Sequence, residues 1–259
     1  MSYQPKLTEN AVAYHARMLP GYKGPLFSTD PEFAERFANF AFDEVIAATP
    51  ELDDRTRFMC WLATLLGCQG IDEFRVMLRA ALNMGLEPLA IREIVYQAQD
   101  YLGMGRVYPF LLAMGEGLRE AGIELPLENA ATTEPTLESR KEGGEQAQCA
   151  AFGDHMAGFH DRGNPDYPQI NQFLVRNCFG DFYTREGLTM AERELMTFCY
   201  LAAQGGCDPQ LRSHVNGNVH CGNTRELLLA VATSNLPFIG YPRTLNAIAA
   251  IEASTGKQE

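Results

Sequence analysis

The sequence predicts an all-α fold made of two tandem helical repeats, and three observations carry that reading. Apolar residues return at three- and four-residue steps almost throughout, with few alternating runs. Gly and Pro mark the gaps between the periodic segments. The second half also repeats the first: Leu52, Arg57, Arg75, Gly85, Gly103 and Arg106 recur as Leu188, Arg193, Arg212, Gly222, Gly240 and Arg243, at offsets of 136 to 137. A division into residues 1–126 and 127–259 follows. Each unit of about 125 residues is long enough for a core of its own.

In the second copy, Thr189 and Glu192 make a capping box, and Leu195, Phe198, Cys199 and Ala202 line one face until Gly205-Gly206 stops the helix. Asp208 followed by Pro209 reads as N-cap and first helical residue. From there Leu211, His214, Val215, Asn218, Val219 and Gly222 share one face, so His214 points inward. Gly222 is a left-handed stop, Asn223-Thr224 is a new cap, and an apolar helix runs from Leu227 to Pro237. The first copy reads alike, with Asp53 capping a helix through Leu66, a second from Phe74 to Met84, and a third from Pro88 to about Leu102. Between the copies, residues 126–148 are polar and rich in Glu, Thr and Gly, and the boundary falls in or near them, with their latter part turning helical.

Composition excludes several classes. With 46% hydrophobic and 21% charged residues the chain is globular. A net charge of −12 offers no basic face for nucleic acid or anionic membrane surfaces. The first six residues form no leader, and no apolar run approaches the roughly 18 residues of a spanning helix, which points to a cytoplasmic protein. Seven cysteines, none in a C-x-x-C pair, fit neither a disulfide framework nor a zinc ribbon.

The residues able to do chemistry lie in the second copy. Where it has Glu194 the first has Phe58, and where it has His214 the first has Met77. Glu194 is either a solvated rim carboxylate or a buried one fit for proton transfer. His214, on the following helix, is either a satisfied core histidine or the imidazole of a Glu–His acid–base pair. Cys207 precedes a helix start, which favours a thiolate, while Asp208 opposes it. His214, His220 and Cys221 make no metal set, because six residues turn a helix by about 240°. Arg193, Arg212 and Arg243 either grip a substrate carboxylate or form structural ion pairs, since all three have counterparts in the copy without Glu and His.

The run Arg193-Glu194-Leu195, Gln210-Leu211-Arg212-Ser213-His214, Gly222-Asn223-Thr224-Arg225-Glu226 and Ile239-Gly240-Tyr241-Pro242-Arg243-Thr244-Leu245-Asn246 resembles the carboxymuconolactone decarboxylase family, and residues 52–114 resemble a degenerate copy of it. The resemblance implies an alkylhydroperoxidase D-like helical fold, no cofactor, and a homo-oligomeric ring, here a trimer of two-copy chains. It implies loss of carbon dioxide from a small carboxylated unsaturated lactone, with His214 as donor or acid, Glu194 as its partner, and an arginine such as Arg243 on a substrate carboxylate. In the redox branch of the same superfamily, Cys207 falls on the first of two active cysteines, and Gln210 stands where the second belongs. A thiol cycle lacking that partner needs Cys221 or Cys199 in its place. Besides the lyase, a thiol-dependent antioxidant protein and a non-catalytic binding or assembly module remain as readings.

Overall fold

A computed structural model describes residues 3–256, and among them every regular element is helical. Each repeat opens with one helix, Glu9–Met18 in the first and Leu137–Phe152 in the second. A helix that widens into a π-helical stretch follows: Pro31–Asn39 continues through Phe40–Glu44, and Gln169–Phe173 through Leu174–Tyr183. Asp54–Gly67, Ile71–Asn83, Pro88–Leu102 and Met104–Glu120 then complete the first repeat. Met190–Gln204, Asp208–His220 and Arg225–Thr255 complete the second, the last of these interrupted at Gly240.

The expected caps explain most boundaries. Asp53 accepts from the Thr56 amide at 2.7 Å, and Thr189 and Glu192 exchange both bonds of a capping box. Three boundaries differ. Cys207 occupies the N-cap position, one residue before the expected Asp208, without a side-chain cap bond. The helix expected from Phe74 starts at Ile71, because Gly70 and not a capping side chain sets its entry. The helix expected to stop at Pro237 passes through it and breaks at Gly240, with φ 73° and ψ 169°; Gly103 breaks the first repeat in the same way, with φ 77° and ψ 153°. A proline near a helix end removes one hydrogen bond, whereas this left-handed backbone is open only to glycine. Val219, placed on the inward face by its spacing, is exposed in the last turn of its helix.

The two copies share one apolar core. Asp54–Gly67 packs along Met190–Gln204, and buried side chains from both repeats form a continuous cluster that includes Trp61, Phe74, Phe198 and Tyr200. An Arg55–Glu192 ion pair and a 2.6 Å bond from Arg106 to Gln204 also join the repeats. A smaller cluster around Ala151, Cys178, Phe179 and Tyr183 lies under the second repeat's first helix. There two backbones meet: a Cβ on Gly144 would fall 1.9 Å from the Val175 carbonyl oxygen, and one on Gly180 2.2 Å from that of Arg140. This contact fixes the π-helical stretch and, with it, the position of Tyr183.

Candidate active site

Met190–Gln204 runs through the middle of the molecule, buried from Arg193 to Ala203, so the Glu194 carboxylate has no access to bulk water. Burying such a group requires hydrogen-bond donors. One is His214 on Asp208–His220, whose Nδ1 lies 2.8 Å from Glu194 Oε2. The Tyr183 hydroxyl, 2.9 Å from Oε1, is the other. Asn218 Nδ2 donates to the backbone oxygens of Glu194 and His214, at 2.8 and 2.7 Å, and locks the two helices in register. Gly217 makes room, since a Cβ there would fall 2.4 Å from Glu194 Oε2.

Its Nδ1 held by Glu194, His214 lines a cavity of about 880 Å³. Tyr101 and Phe152 meet the imidazole edge-on, with ring centroids at 5.4 and 5.3 Å, and orient it. Phe159, Phe179, Leu174, Leu201 and Met156 make much of the wall apolar. Gln148, His155, Gln204, Gln210, Ser213 and Asn216 add polar groups, while no arginine or lysine among the described residues lines it.

Of the four expected site residues besides Glu194 and His214, two reach this region. Cys207 lines the cavity, with its thiol 3.5 Å from the Leu201 carbonyl oxygen and its sulfur accepting from Gln204 Nε2 at 3.7 Å. Arg243 lies behind it, in a neighbouring pocket of about 320 Å³ that shares Leu201, Gly206 and Cys207 with the cavity. Arg193 and Arg212 do not line either space. Arg193 is buried on the far side of the helix, donating to Gln97 Oε1 at 3.0 Å and to the Arg185 carbonyl at 2.6 Å, with Glu93 at 3.4 Å. Arg212 is exposed. Neither candidate for the missing thiol helps: Cys199 is fully buried, and burial together with the nearby Glu194 pushes the Cys221 thiol up to about 11. Among the described residues, no three His, Cys, Asp or Glu are grouped to hold a metal ion.

Sequence reasoning missed the first repeat's contribution. Asp100 and Tyr101, from Pro88–Leu102, line the cavity of the second repeat. Both Asp100 carboxyl oxygens are sealed from water, with only the Cys178 thiol near enough to act on them as a donor. Burial, helped by the charge of Asp181 and opposed by the Cys178 thiol, pushes this carboxyl up to about 8. The Tyr101 hydroxyl lies 2.6 Å from that of Tyr183, and burial pushes both phenols well above their ordinary range, so both remain protonated.

The sequence model of the carboxymuconolactone decarboxylase family matches residues 31–115 and again 168–253. Among solved structures, a candidate gamma-carboxymuconolactone decarboxylase subunit from Burkholderia xenovorans LB400 is similar over 94% of this chain and 95% of its own, with a TM-score of 0.54. At 18% identity, what the two share is the fold. No curated protein matches the chain.

Proposed function

Because the chain belongs to the carboxymuconolactone decarboxylase family, we propose that it is a cofactor-independent lyase that releases carbon dioxide from a small carboxylated unsaturated lactone or a related unsaturated acid. The observation that carries this reading is the Glu194–His214 pair at the wall of an aromatic cavity of about 880 Å³. A conjugated carbonyl in the substrate is itself the electron sink. The pair of electrons left by the departing carboxylate flows into it, and the enolate formed needs one hydrogen-bond donor at oxygen and one proton at carbon. The ring nitrogen of His214 not bonded to Glu194 supplies one or both, with Glu194 fixing which nitrogen is available.

Among the described residues no guanidinium or ammonium group lines the wall, which supports the same chemistry. A guanidinium on the departing carboxylate would stabilise the ground state more than a transition state whose charge has moved to the carbonyl. A second carboxylate, where the substrate has one, is met by Arg243 across Gly206 and Cys207. The thiol reading is the weaker one, because the Cys207 thiol already bonds to the Leu201 carbonyl and Gln210 replaces the second cysteine.

We also propose that the chain assembles as a ring with its own copies in the cytoplasm. Met104, Tyr108 and Leu112 expose one apolar stripe, and Tyr241 and Leu245, at the positions equivalent to Met104 and Tyr108, expose another. The test of the activity is carbon dioxide release from a panel of carboxylated unsaturated lactones and acids, with His214→Ala as control. Release that depends on His214 is expected. Either no release from any member, or release unaffected by that variant, overturns the reading.

A further inference from the structure

The buried polar groups around Glu194 form a chain with a direction. Arg193 Nη1 donates to Gln97 Oε1 at 3.0 Å, which fixes the orientation of the Gln97 amide. Its nitrogen therefore donates twice, to the Arg193 carbonyl at 2.8 Å and to Thr197 Oγ1 at 2.9 Å. Thr197 Oγ1 lies 2.8 Å from the Tyr183 hydroxyl. The Tyr183 proton is committed to Glu194 Oε1, since a carboxylate only accepts, so Thr197 is the donor in this contact. The Tyr101 hydroxyl donates to Tyr183 by the same logic, and Cys178 to Tyr101 at 3.9 Å. Every proton in the chain points from the Arg193 guanidinium toward the Glu194 carboxylate.

We infer that Arg193, Gln97, Thr197 and Tyr183 are positioning residues that polarise Glu194 and thereby set the proton affinity of His214, with the first repeat supplying the central link, Gln97. For its catalytic meaning the inference rests on the proposed lyase reading. Donors in a chain strengthen one another, and bonds to a charged acceptor are the strong ones. A carboxylate that loses such a donor becomes more basic and holds the imidazole proton more firmly. The other titratable groups facing Glu194 are Tyr101, Cys178 and Cys221. All three are raised by burial and so remain neutral around pH 7, and the titratable groups that line the cavity with His214 are Asp100, likewise raised by burial, His155 and Cys207.

The geometry explains why Arg193, alone among the buried arginines, adjoins the acid–base pair without touching the cavity. The equivalent chain in the first repeat starts the same way and leads nowhere. Arg57 Nη1 donates to Ser234, the counterpart of Gln97, at 3.2 Å, and Trp61, the counterpart of Thr197, donates to the same serine at 3.0 Å. Both donors converge on one hydroxyl, and no carboxylate follows.

The experiment is an NMR titration of the His214 ring nitrogens in the full chain and in three variants, with circular dichroism confirming the helical fold. Tyr183→Phe removes the terminal donor and is expected to raise the His214 midpoint by about one pH unit. Thr197→Val breaks the chain one link earlier and raises it by about 0.3 units. Thr197→Ser keeps the hydroxyl and restores the parent midpoint. Parent-like titration in Thr197→Val, or an equal shift in the valine and serine variants, overturns the inference, because the first shows no transmission and the second shows a packing effect. The readout needs no turnover: shifts as expected without carbon dioxide release would remove the lyase reading alone, and release without shifts would remove the relay alone.

Discussion

At equivalent places in the two repeats, Arg57 and Arg193 each enter the core and donate to the same position of the other repeat, Ser234 and Gln97. Beyond that point the repeats part. The second continues through Thr197 and Tyr183 to a carboxylate and an imidazole beside a cavity of about 880 Å³. The first fills the matching positions with Trp61, Phe58 and Met77, and what is left is an apolar pocket of about 240 Å³ lined by Met77, Phe37 and Phe42. Burial lowers His15 and raises Glu73 at that pocket, so both favour their neutral forms. The comparison teaches that the arginine-centred frame between repeats is a requirement of the fold, and that chemistry appears only where the frame ends on an ionisable pair.

The sharpest way to break the comparison is to truncate the two equivalent side chains. His214→Ala is expected to lower kcat by about 10²-fold or more, as loss of general acid–base action does, and also to cost about 1–3 kcal/mol of stability, because the buried Glu194 carboxylate loses one of its two donors. Met77→Ala is expected to leave kcat within a factor of two of the parent and to cost about 2–5 kcal/mol, since truncating a buried side chain enlarges the space it borders. Steady-state kinetics beside chemical denaturation separates them. Equal kinetic losses in both variants would mean that His214 acts only through packing.

Asp100 and its counterpart Pro237 give the next contrast. With a carboxyl raised to about 8, Asp100 is protonated in the folded chain and ionised in the unfolded one at pH 7. Its stabilising contribution is therefore present below about pH 4 and lost as pH rises through about 8. Asp100→Asn is expected to match the parent at pH 4 and to exceed it by roughly 5 kcal/mol at pH 8, with no further gain above. A stability difference that does not vary between pH 4 and 8 would show that Asp100 is ionised in the native state.

The duplication, the helical class and the Glu194–His214 pairing were all legible in the chain, because each rests on short periods: the inward register of Leu195 and Phe198, the capping box, and a repeat that preserves Arg and Gly positions. The rest of the site was not. Gln97, Asp100 and Tyr101 come from the copy without acid–base residues, and their spacing reads as ordinary helix. Tyr183 sits on a π-helical turn, where side chains leave the register that a 3.6-residue period predicts. The arginines show the limit from the other side. A residue type suited to carboxylates marks Arg193 equally well as ligand or scaffold, and only the partners Gln97, Glu93 and Arg185 decide.

Surface positions that correspond by the duplication test whether assembly uses both halves. Tyr108→Asp and Leu245→Asp place a charge at equivalent points of the two exposed stripes. Each is expected to change stability by less than about 0.5 kcal/mol at a solvent-exposed site and to lower the assembled mass in light scattering. If only one variant dissociates the particle, the ring contacts are not shared between the repeats. If neither does, the stripes are not the interface.

The smallest expected effect comes from Cys207, whose counterpart is Gly70. Both residues hold the N-cap position of the helix that carries His214 or Met77, and neither provides a side-chain cap. Serine at 207 keeps a short polar group against the Leu201 carbonyl and is itself a good cap. Cys207→Ser is therefore expected to change turnover by less than about threefold, within the spread of a lost neutral hydrogen bond. A thiol cycle predicts the opposite: with no second cysteine three residues on, every step would pass through this one sulfur, and peroxide consumption would vanish in the variant. Measuring carbon dioxide release and peroxide consumption on the same preparation decides between them, because a cavity that works through His214 tolerates the loss of a thiol at its edge and a cavity that works through the thiol does not.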